Sequence, residues 1–210
     1  SGTGTAATPL CSMQPVLTLL SVTRDLVVVR GTVSGASWTY AGQGGGTLFV
    51  VGQQSAFVAA LGAVPSFAMQ SGTVSIRAVK LSSSASVGVS AMGGTLTLDH
   101  LTVDSCMGGG LLLDGAAFDI ENTTVTRNGP GTFSLATWGG ILVNNPPAGG
   151  PTKLNLLTIQ NNMGPGVSCS TNVSAMALGV LAAGNSPTDI NPTCGFSSCG
   201  TASTTCGAQP

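Results

Sequence analysis

The sequence predicts an all-β fold in which short parallel strands coil around a single axis, a β-solenoid. The first indication is a phrase that recurs with small changes at residues 94–104, 116–126 and 153–162. Within each copy, apolar and polar residues alternate and turn residues follow, which is typical of strands and excludes a helical repeat. Copies repeated at this spacing indicate one supersecondary unit stacked on itself, rather than strands that pair over long distances.

The inward register follows from counting between the copies. Apolar residues recur with a spacing of three and then two, and the pattern returns after 22, 22, 34 and 23 residues. A Gly-apolar pair begins a third strand in four of the five units, at Gly88, Gly110, Gly140 and Gly166. The predicted inward sets are Ile76, Val79 and Leu81; Leu98, Leu101 and Val103; Ile120, Thr123 and Val125; Leu154, Leu157 and Ile159; and Ala177, Val180 and Ala182.

A column of small polar residues is predicted at the bend after the second strand of each unit. It consists of Ser84, Cys106, Asn128, Asn162 and Asn185. Because stacked coils lie about 4.8 Å apart, these side chains would lie over one another, and the asparagine amides would satisfy bend carbonyls along the axis. In this interpretation Cys106 is a buried free thiol with a packing role.

The composition limits the class of protein. The chain has 210 residues, of which 42% are hydrophobic and only 6% are charged, with 31 glycines and a formal net charge of -1. This length suits one domain with a continuous core. Because no apolar run approaches the ~18 residues of a spanning helix, no membrane span is expected. Six scattered Lys and Arg residues form no basic stripe, so nucleic acid is not an expected partner.

We expect a single domain, residues 1–210, with an arm and N-terminal cap over 1–20, coils over 24–185 and a disulfide-rich C-terminal cap over 186–210. Within the first part, a short amphipathic helix in Cys11–Leu20 would cover the open end of the solenoid. Pro15 is compatible only with the first turn of this helix. Arg24–Gly31 is predicted to be the strand that enters the first coil.

Residues 32–70 depart from the repeat and are rich in aromatic side chains. Leu48–Val51 and Ala56–Leu61 are predicted to be buried strands. Two interpretations of the rings stay open: they fill a wider first coil, or they form a surface on which carbohydrate stacks. The rings are those of Trp38, Tyr40, Phe49, Phe57 and Phe67.

The third full coil is longer than its neighbours by twelve residues, eight of them within 129–139 and four within 144–153. Insertions in a solenoid are displaced outward as loops, often on a functional face. Phe133 and Trp138 on the first insertion are therefore candidate residues for binding sugar or protein. The alternative is that this loop folds back over the coil.

Six cysteines, three of them in the last 17 residues, indicate an oxidising compartment. Because His100 is the only histidine, a zinc site has little support, and no metal or other cofactor is expected. Cys169 occupies an inward strand position near the C-terminal end. The preferred disulfide is therefore Cys169 to Cys194, and the second is Cys199 to Cys206.

The register places five charged side chains on one outward face, namely Arg77, Asp99, Asp119, Glu121 and Lys153. In one interpretation the three acidic residues form a calcium or acid–base cluster, with Arg77 or Lys153 as the catalytic base. In the other, Arg77 pairs with Asp99 and Asp119 pairs with Lys153 across neighbouring strands. The second interpretation fits the alternation of sign at matching heights.

The coils, the asparagine column and the Gly-apolar third strand together resemble the right-handed parallel β-helix repeat-containing proteins of the pectate-lyase-like superfamily. The secreted bacterial members are the most similar. The phrase at residues 2–14, GTGTAATPLCSMQ, is similar to the beginning of those proteins, where it leads into the N-terminal capping helix. The resemblance implies a right-handed coil and a secreted location. It implies a fold more than an activity.

The resemblance also implies what an enzymatic member would need. Lyases of the superfamily use aspartates to hold calcium and an Arg or Lys to remove a proton, and hydrolases use several aspartates with a His. The polygalacturonase-type motifs of the superfamily do not occur in this sequence. His100 directly follows Asp99, which in a continuous strand turns the two side chains to opposite faces. No triad is visible around it, so no catalytic residue is assigned.

We therefore expect a non-catalytic, secreted structural or adhesive protein, extracellular or at a cell surface. The expected partners are other copies of the chain or a polysaccharide, because a surface poor in charge offers little repulsion between copies. The alternative is a carbohydrate-active enzyme or sugar-binding module that uses the charged face. A third hypothesis is that the chain is the stalk domain of a larger surface protein.

Overall fold

A computed structural model of the chain describes residues 4–5, 7–35, 37–83, 85–133, 136–170, 173–191 and 194–196. These residues form an all-β, right-handed parallel solenoid of about six turns, with one short α-helix. The predicted fold class is thus confirmed.

The strands stack in three columns along the solenoid axis. The first two columns share a 13-stranded sheet and the third is a six-stranded sheet within the described residues. The first column contains the first halves of β1 (Leu26–Gly35) and β3 (Thr47–Ala60), then β5 (Thr73–Arg77), β8 (Thr95–Asp99), β11 (Ala117–Glu121), β16 (Thr152–Asn155), β19 (Ser174–Leu178) and β21 (Gly195–Phe196). The second contains the second halves of β1 and β3, then β6 (Lys80–Ser83), β9 (Thr102–Asp104), β12 (Thr124–Thr126), β17 (Thr158–Gln160) and β20 (Leu181–Ala183). The third contains β2 (Trp38–Ala41), β4 (Phe67–Ser71), β7 (Val89–Ala91), β10 (Leu111–Asp114), β15 (Ile141–Asn144) and β18 (Val167–Cys169).

The register predicted by counting is confirmed strand by strand. In the first column Leu98 lies between Ile76 and Ile120, and in the second column Val103 lies beside Val125. Every residue of the five predicted inward sets is buried. Each fully buried aliphatic side chain contributes roughly 1.5–3 kcal/mol relative to exposure, so the stacked interior is the main source of stability.

The corner between the first and second columns is made by one left-handed residue per coil. Ala78, His100, Asn122, Leu156 and Gly179 have φ angles of 56°, 55°, 48°, 52° and 64°. Four of the five are not glycine, although a Cβ atom disfavours this backbone region. The regular alternation of side chains therefore breaks at this corner, which sequence periodicity does not reveal.

The N-terminal cap is a single helical turn. Helix α1 covers only Gln14–Leu17, which is shorter than the predicted Cys11–Leu20, and Pro15 lies in its first turn as expected. Leu17 is buried against the core, and the side-chain oxygen of Gln14 accepts a hydrogen bond of 3.0 Å from the backbone N–H of Thr39. The helix thus ties the arm to β2 at the end of the solenoid.

The aromatic segment over 32–70 mainly fills the first coils. Strand β3 covers both of the strands predicted there as one element that bends at the corner, except that it ends at Ala60 and leaves Leu61 63% exposed. Phe49 remains 43% exposed on the outward face. The rings of Trp38 and Phe67 lie 4.5 Å apart between centroids. Within this segment, the fully buried rings are those of Trp38, Tyr40 and Phe67.

The C-terminal end is closed by the expected disulfide. Cys169 and Cys194 are bonded, with their Cα atoms 5.0 Å apart. Strand β21 adds a short rung beside β19 at the same end. Cys199 and Cys206, the second predicted pair, lie outside the described residues. Within the described chain, no helix has the length and apolar character to cross a bilayer.

Candidate functional site

The outward face of the first column, which we call the first-sheet face, carries two parallel rows of side chains. Each row has one residue per rung, and the backbone pairing aligns the rungs. The first row is Leu26, Phe49, Ser75, Thr97, Asp119, Lys153 and Met176. The second row is Val28, Val51, Arg77, Asp99, Glu121, Asn155 and Leu178. All five predicted charged residues therefore lie together on this face.

Both of the expected ion pairs are present on the first-sheet face. Arg77 Nε lies 3.1 Å from Asp99 Oδ2, and Lys153 Nζ lies 3.4 Å from Asp119 Oδ2. The Asn155 amide donates to Glu121 Oε1 at 3.2 Å. Exposed pairs of this kind contribute at most about 1 kcal/mol each. Each of the three carboxylates thus has a partner on a neighbouring rung of its own chain.

His100 does not point away from Asp99, contrary to the expectation for a continuous strand. Because His100 is the left-handed corner residue, its Nδ1 atom returns to within 2.5 Å of Asp99 Oδ1. Burial would raise the pKa of Asp99, but hydrogen bonds from Asn122 and His100 and the charge of Arg77 outweigh it and lower that pKa. The carboxylate is therefore held ionised and orients the imidazole ring.

A shallow depression of about 320 Å³ lies beside this Asp–His pair. Its lining includes His100, Ser55 and Lys80. An imidazole oriented by a carboxylate can accept or release a proton at its other nitrogen. The Ser55 hydroxyl and the Lys80 amine line the same depression, and the amine is paired with Asp104 at 2.8 Å.

Asp104 is the centre of an ion cluster that the sequence did not indicate. Its side chain is only 5% exposed, and Lys80 Nζ and Arg127 Nη2 lie 2.8 and 2.6 Å from Oδ2. Arg127 Nε also donates to Oδ1 at 2.9 Å, as does the Ser105 hydroxyl. The cluster joins three successive coils. Extending the rung count to the outward residues of the second column would have placed Lys80 and Asp104 on one face.

The stability of the protein should depend on pH through Asp104. Burial alone would raise the pKa of this carboxyl, but the hydrogen bonds from Arg127, Lys80 and Ser105 lower it from 3.8 to about 2. Since the folded-state pKa is depressed, the stabilisation is present above pH 4 and is lost as the pH falls from about 4 to 2. A lowering of this size corresponds to roughly 2 kcal/mol. Urea denaturation at a series of pH values should show this loss in the free energy of unfolding. In Asp104→Asn the part of the pH dependence that comes from Asp104 should be absent. An unchanged acid limb in Asp104→Asn would contradict the assignment.

The first insertion folds back over the coil, which was the alternative to a binding loop. It forms a hairpin of β13 (Gly131–Phe133) and β14 (Ala136–Trp138). Trp138 is only 1% exposed and packs against Leu112 and Leu142 over the third column, with Phe133 at the edge. The Trp138 ring packs so closely on Gly109 that a Cβ atom at that position would lie about 2.5 Å from the ring. Trp138 therefore offers no surface for a ligand, and Phe133 is half-buried.

The asparagine ladder is present and fully bonded over its described members. Asn128 Oδ1 accepts from the Cys106 backbone N–H at 2.9 Å, and Asn162 Oδ1 accepts from the Asn128 backbone N–H at 2.9 Å. Asn185 Oδ1 accepts in turn from Asn162. Asp189 Oδ1 closes the column by accepting the Asn185 N–H and amide at 2.9 Å each. Ser84 lies outside the described residues, and the role of Asp189 was not predicted.

Cys106 is a buried free thiol, as expected. Burial raises its pKa to about 12. At pH 8 only about one in 10⁴ such thiols is ionised, so alkylation should be at least about 10³-fold slower than for an ordinary exposed cysteine. Iodoacetamide labelling with peptide mapping should modify the exposed Cys11 in the folded protein and Cys106 only after unfolding. Labelling of both at equal rates would contradict this assignment.

The two ends of the first-sheet face are apolar and exposed. Leu26 is 56% exposed and Val28 is 45% exposed at one end, and Met176 and Leu178 are 50% and 55% exposed at the other. Phe49 extends the first apolar end toward the centre. The sequence pattern did not show that these positions continue the charged rows. The face therefore runs from apolar through charged to apolar along the axis.

No protein family, curated protein or solved structure matches this chain. Among the described residues, no group of three or more His, Cys, Asp or Glu side chains is placed to hold a metal ion. The geometry of the chain itself is thus the basis for proposing a function.

Proposed function

We propose that this chain is a non-catalytic structural protein that acts by associating with other copies of itself through the first-sheet face. The observation that supports this is the pair of exposed apolar patches, Leu26 with Val28 and Met176 with Leu178, at opposite ends of one sheet face. Large apolar side chains gathered on one surface are typical of protein–protein contact sites. The rigid stack between them holds the two patches at a constant separation.

The proposal includes an extracellular or cell-surface location. The Cys169–Cys194 disulfide supports it, because such bonds persist in oxidising compartments. The resemblance to secreted bacterial members of the pectate-lyase-like superfamily points in the same direction. A rigid, sparsely charged rod is suited to a surface layer or a filament, where copies pack closely.

Sedimentation velocity over a wide concentration range tests this function. We expect concentration-dependent association between about 10 μM and 1 mM, the range of weak specific interfaces. Electron microscopy of the concentrated sample should then show ordered assemblies. A chain that remains strictly monomeric at about 1 mM would refute the proposed function.

A second candidate is a carbohydrate-active protein, supported by the Asp99–His100 pair beside the depression with Lys80. Incubation with acidic and neutral polysaccharides, with and without calcium, tests it through the release of new reducing or unsaturated ends. Cleavage that disappears in His100→Ala would favour this candidate. Absence of cleavage on every polysaccharide would leave the structural function as the better explanation.

A further inference from the structure

We infer that two copies of this chain pack through their first-sheet faces with their solenoid axes antiparallel. The twofold axis that relates the copies runs along strand β8. This inference rests on the proposed function and names the partner and its orientation. Within the described residues, each of the two rows of the first-sheet face has seven members, and the rung of Thr97 and Asp99 is the central one of these. Strand β21, the eighth strand of the column, pairs beside Ser174 and Ala175. A twofold axis along that rung places the first rung against the seventh, the second against the sixth and the third against the fifth.

The apolar ends match in this arrangement. Leu26 of one copy lies against Met176 of the other, and Val28 lies against Leu178. The twofold axis repeats both contacts at the other end of the interface. All four side chains are about half exposed in the single chain, so pairing them removes apolar surface from water. Phe49 then lies against Lys153 of the other copy, a geometry that suits a cation–π contact.

The charged centre also matches, and this decides between orientations. In the antiparallel pair, Arg77 of one copy lies against Glu121 of the other, and Ser75 lies against Asp119. In a parallel pair with rungs in register, Asp119 would lie against Glu121 of the other copy on both sides. Like charges placed together across an interface cost several kcal/mol, so the parallel pair is disfavoured. The antiparallel pair has one like-charge contact, where the two Asp99 side chains meet near the axis, each paired with Arg77 of its own chain. The parallel pair has two like-charge contacts and lacks both Arg77–Glu121 contacts, so the antiparallel pair is favoured.

The size of the face predicts a weak contact. Seven rungs at about 4.8 Å span about 29 Å, and five residues of strand span about 16 Å. Such a footprint buries roughly 500 Å² per copy, or about 1,000 Å² in total, at the lower limit of specific interfaces. We therefore expect association that depends on concentration, as in assemblies built from many weak contacts.

Substitutions on two faces test the location. Leu178→Asp should weaken self-association at least about tenfold in sedimentation equilibrium, because a carboxylate would replace the apolar contact. Met107→Asp is the matched control, because Met107 is 51% exposed and does not belong to the first-sheet face. Circular dichroism and thermal melting establish that both variants fold. Equal association of Leu178→Asp and the native chain would overturn the inference and the use of the first-sheet face, while self-association itself would remain established by sedimentation.

Disulfide trapping tests the orientation. In a Cys11→Ser background, single variants Val28→Cys and Leu178→Cys are mixed, oxidised and mapped by mass spectrometry. The antiparallel pair predicts a bond between position 28 of one copy and position 178 of the other. Each chain carries only one of the two introduced cysteines, so this bond can form only between copies. The rungs of positions 28 and 178 are about 29 Å apart, so the antiparallel pair keeps like positions too distant for a homodisulfide. Homodisulfides at 28 and at 178, or no bond between copies, would overturn the inference. A native chain that never self-associates would refute the proposed function as well.

Discussion

Replacing Asn162 by alanine should lower the free energy of unfolding by about 3–5 kcal/mol, because the middle of the ladder would lose its bonds. The Asn162 amide donates to the Val125 carbonyl at 3.2 Å and to Asn185 Oδ1 at 2.7 Å. Its oxygen accepts both the backbone N–H and the amide of Asn128, at 2.9 and 3.0 Å. All of these groups are buried, and each one left without a partner costs about 1–3 kcal/mol.

Urea denaturation of Asn162→Ala measures this loss, with Asn155→Ala as the matched control. Asn155 lies on the outward face and makes a 3.2 Å bond to Glu121, so its substitution should change stability by about 0.5 kcal/mol or less. A loss below about 1 kcal/mol for Asn162→Ala would show that the ladder does not stabilise the solenoid in the way described.

Replacing Gly140 by alanine should cost about 3 kcal/mol or more, although the change adds a single methyl group. A Cβ atom at this position would lie 2.2 Å from the Gly166 carbonyl oxygen and 2.7 Å from Ile159 Cγ2. Gly110 has the same environment one coil earlier, where a Cβ would lie 2.4 Å from the Gly140 carbonyl oxygen. The Gly-apolar signature of the third strand thus exists because the coils approach each other too closely for a side chain.

Gly149→Ala separates this steric effect from backbone conformation. Gly149 has a φ of 78° and no atom within 4 Å of its virtual Cβ, so alanine there should cost only the roughly 1–2 kcal/mol of a left-handed residue. Chemical denaturation of the two variants under the same conditions gives the comparison. If Gly140→Ala lost no more stability than Gly149→Ala, close approach would not be the reason for the glycine column.

The sequence alone determined the coil, its register and its interior ladder. Because each rung repeats the last, one correct alignment of Leu98 with Ile120 carries over to the other coils. The same counting placed Asn128 over Asn162, and it placed Arg77 beside Asp99 and Asp119 beside Lys153. The Cys169–Cys194 bridge also followed from an inward position near the end of the stack.

Only the tertiary structure decided what happens where the repeat is interrupted. At the corners, left-handed residues turn side chains away from strand alternation, which brings His100 to Asp99. In the inserted hairpin, burial against Leu112 and Leu142 outweighs exposure, so Trp138 covers the coil. The rung count places Lys80 and Asp104 on one face, but only the three-dimensional distances show that Lys80 and Arg127 both reach this carboxylate. Periodicity specifies which face a side chain points to, whereas contacts across coils and corners depend on three-dimensional distances that no local pattern contains.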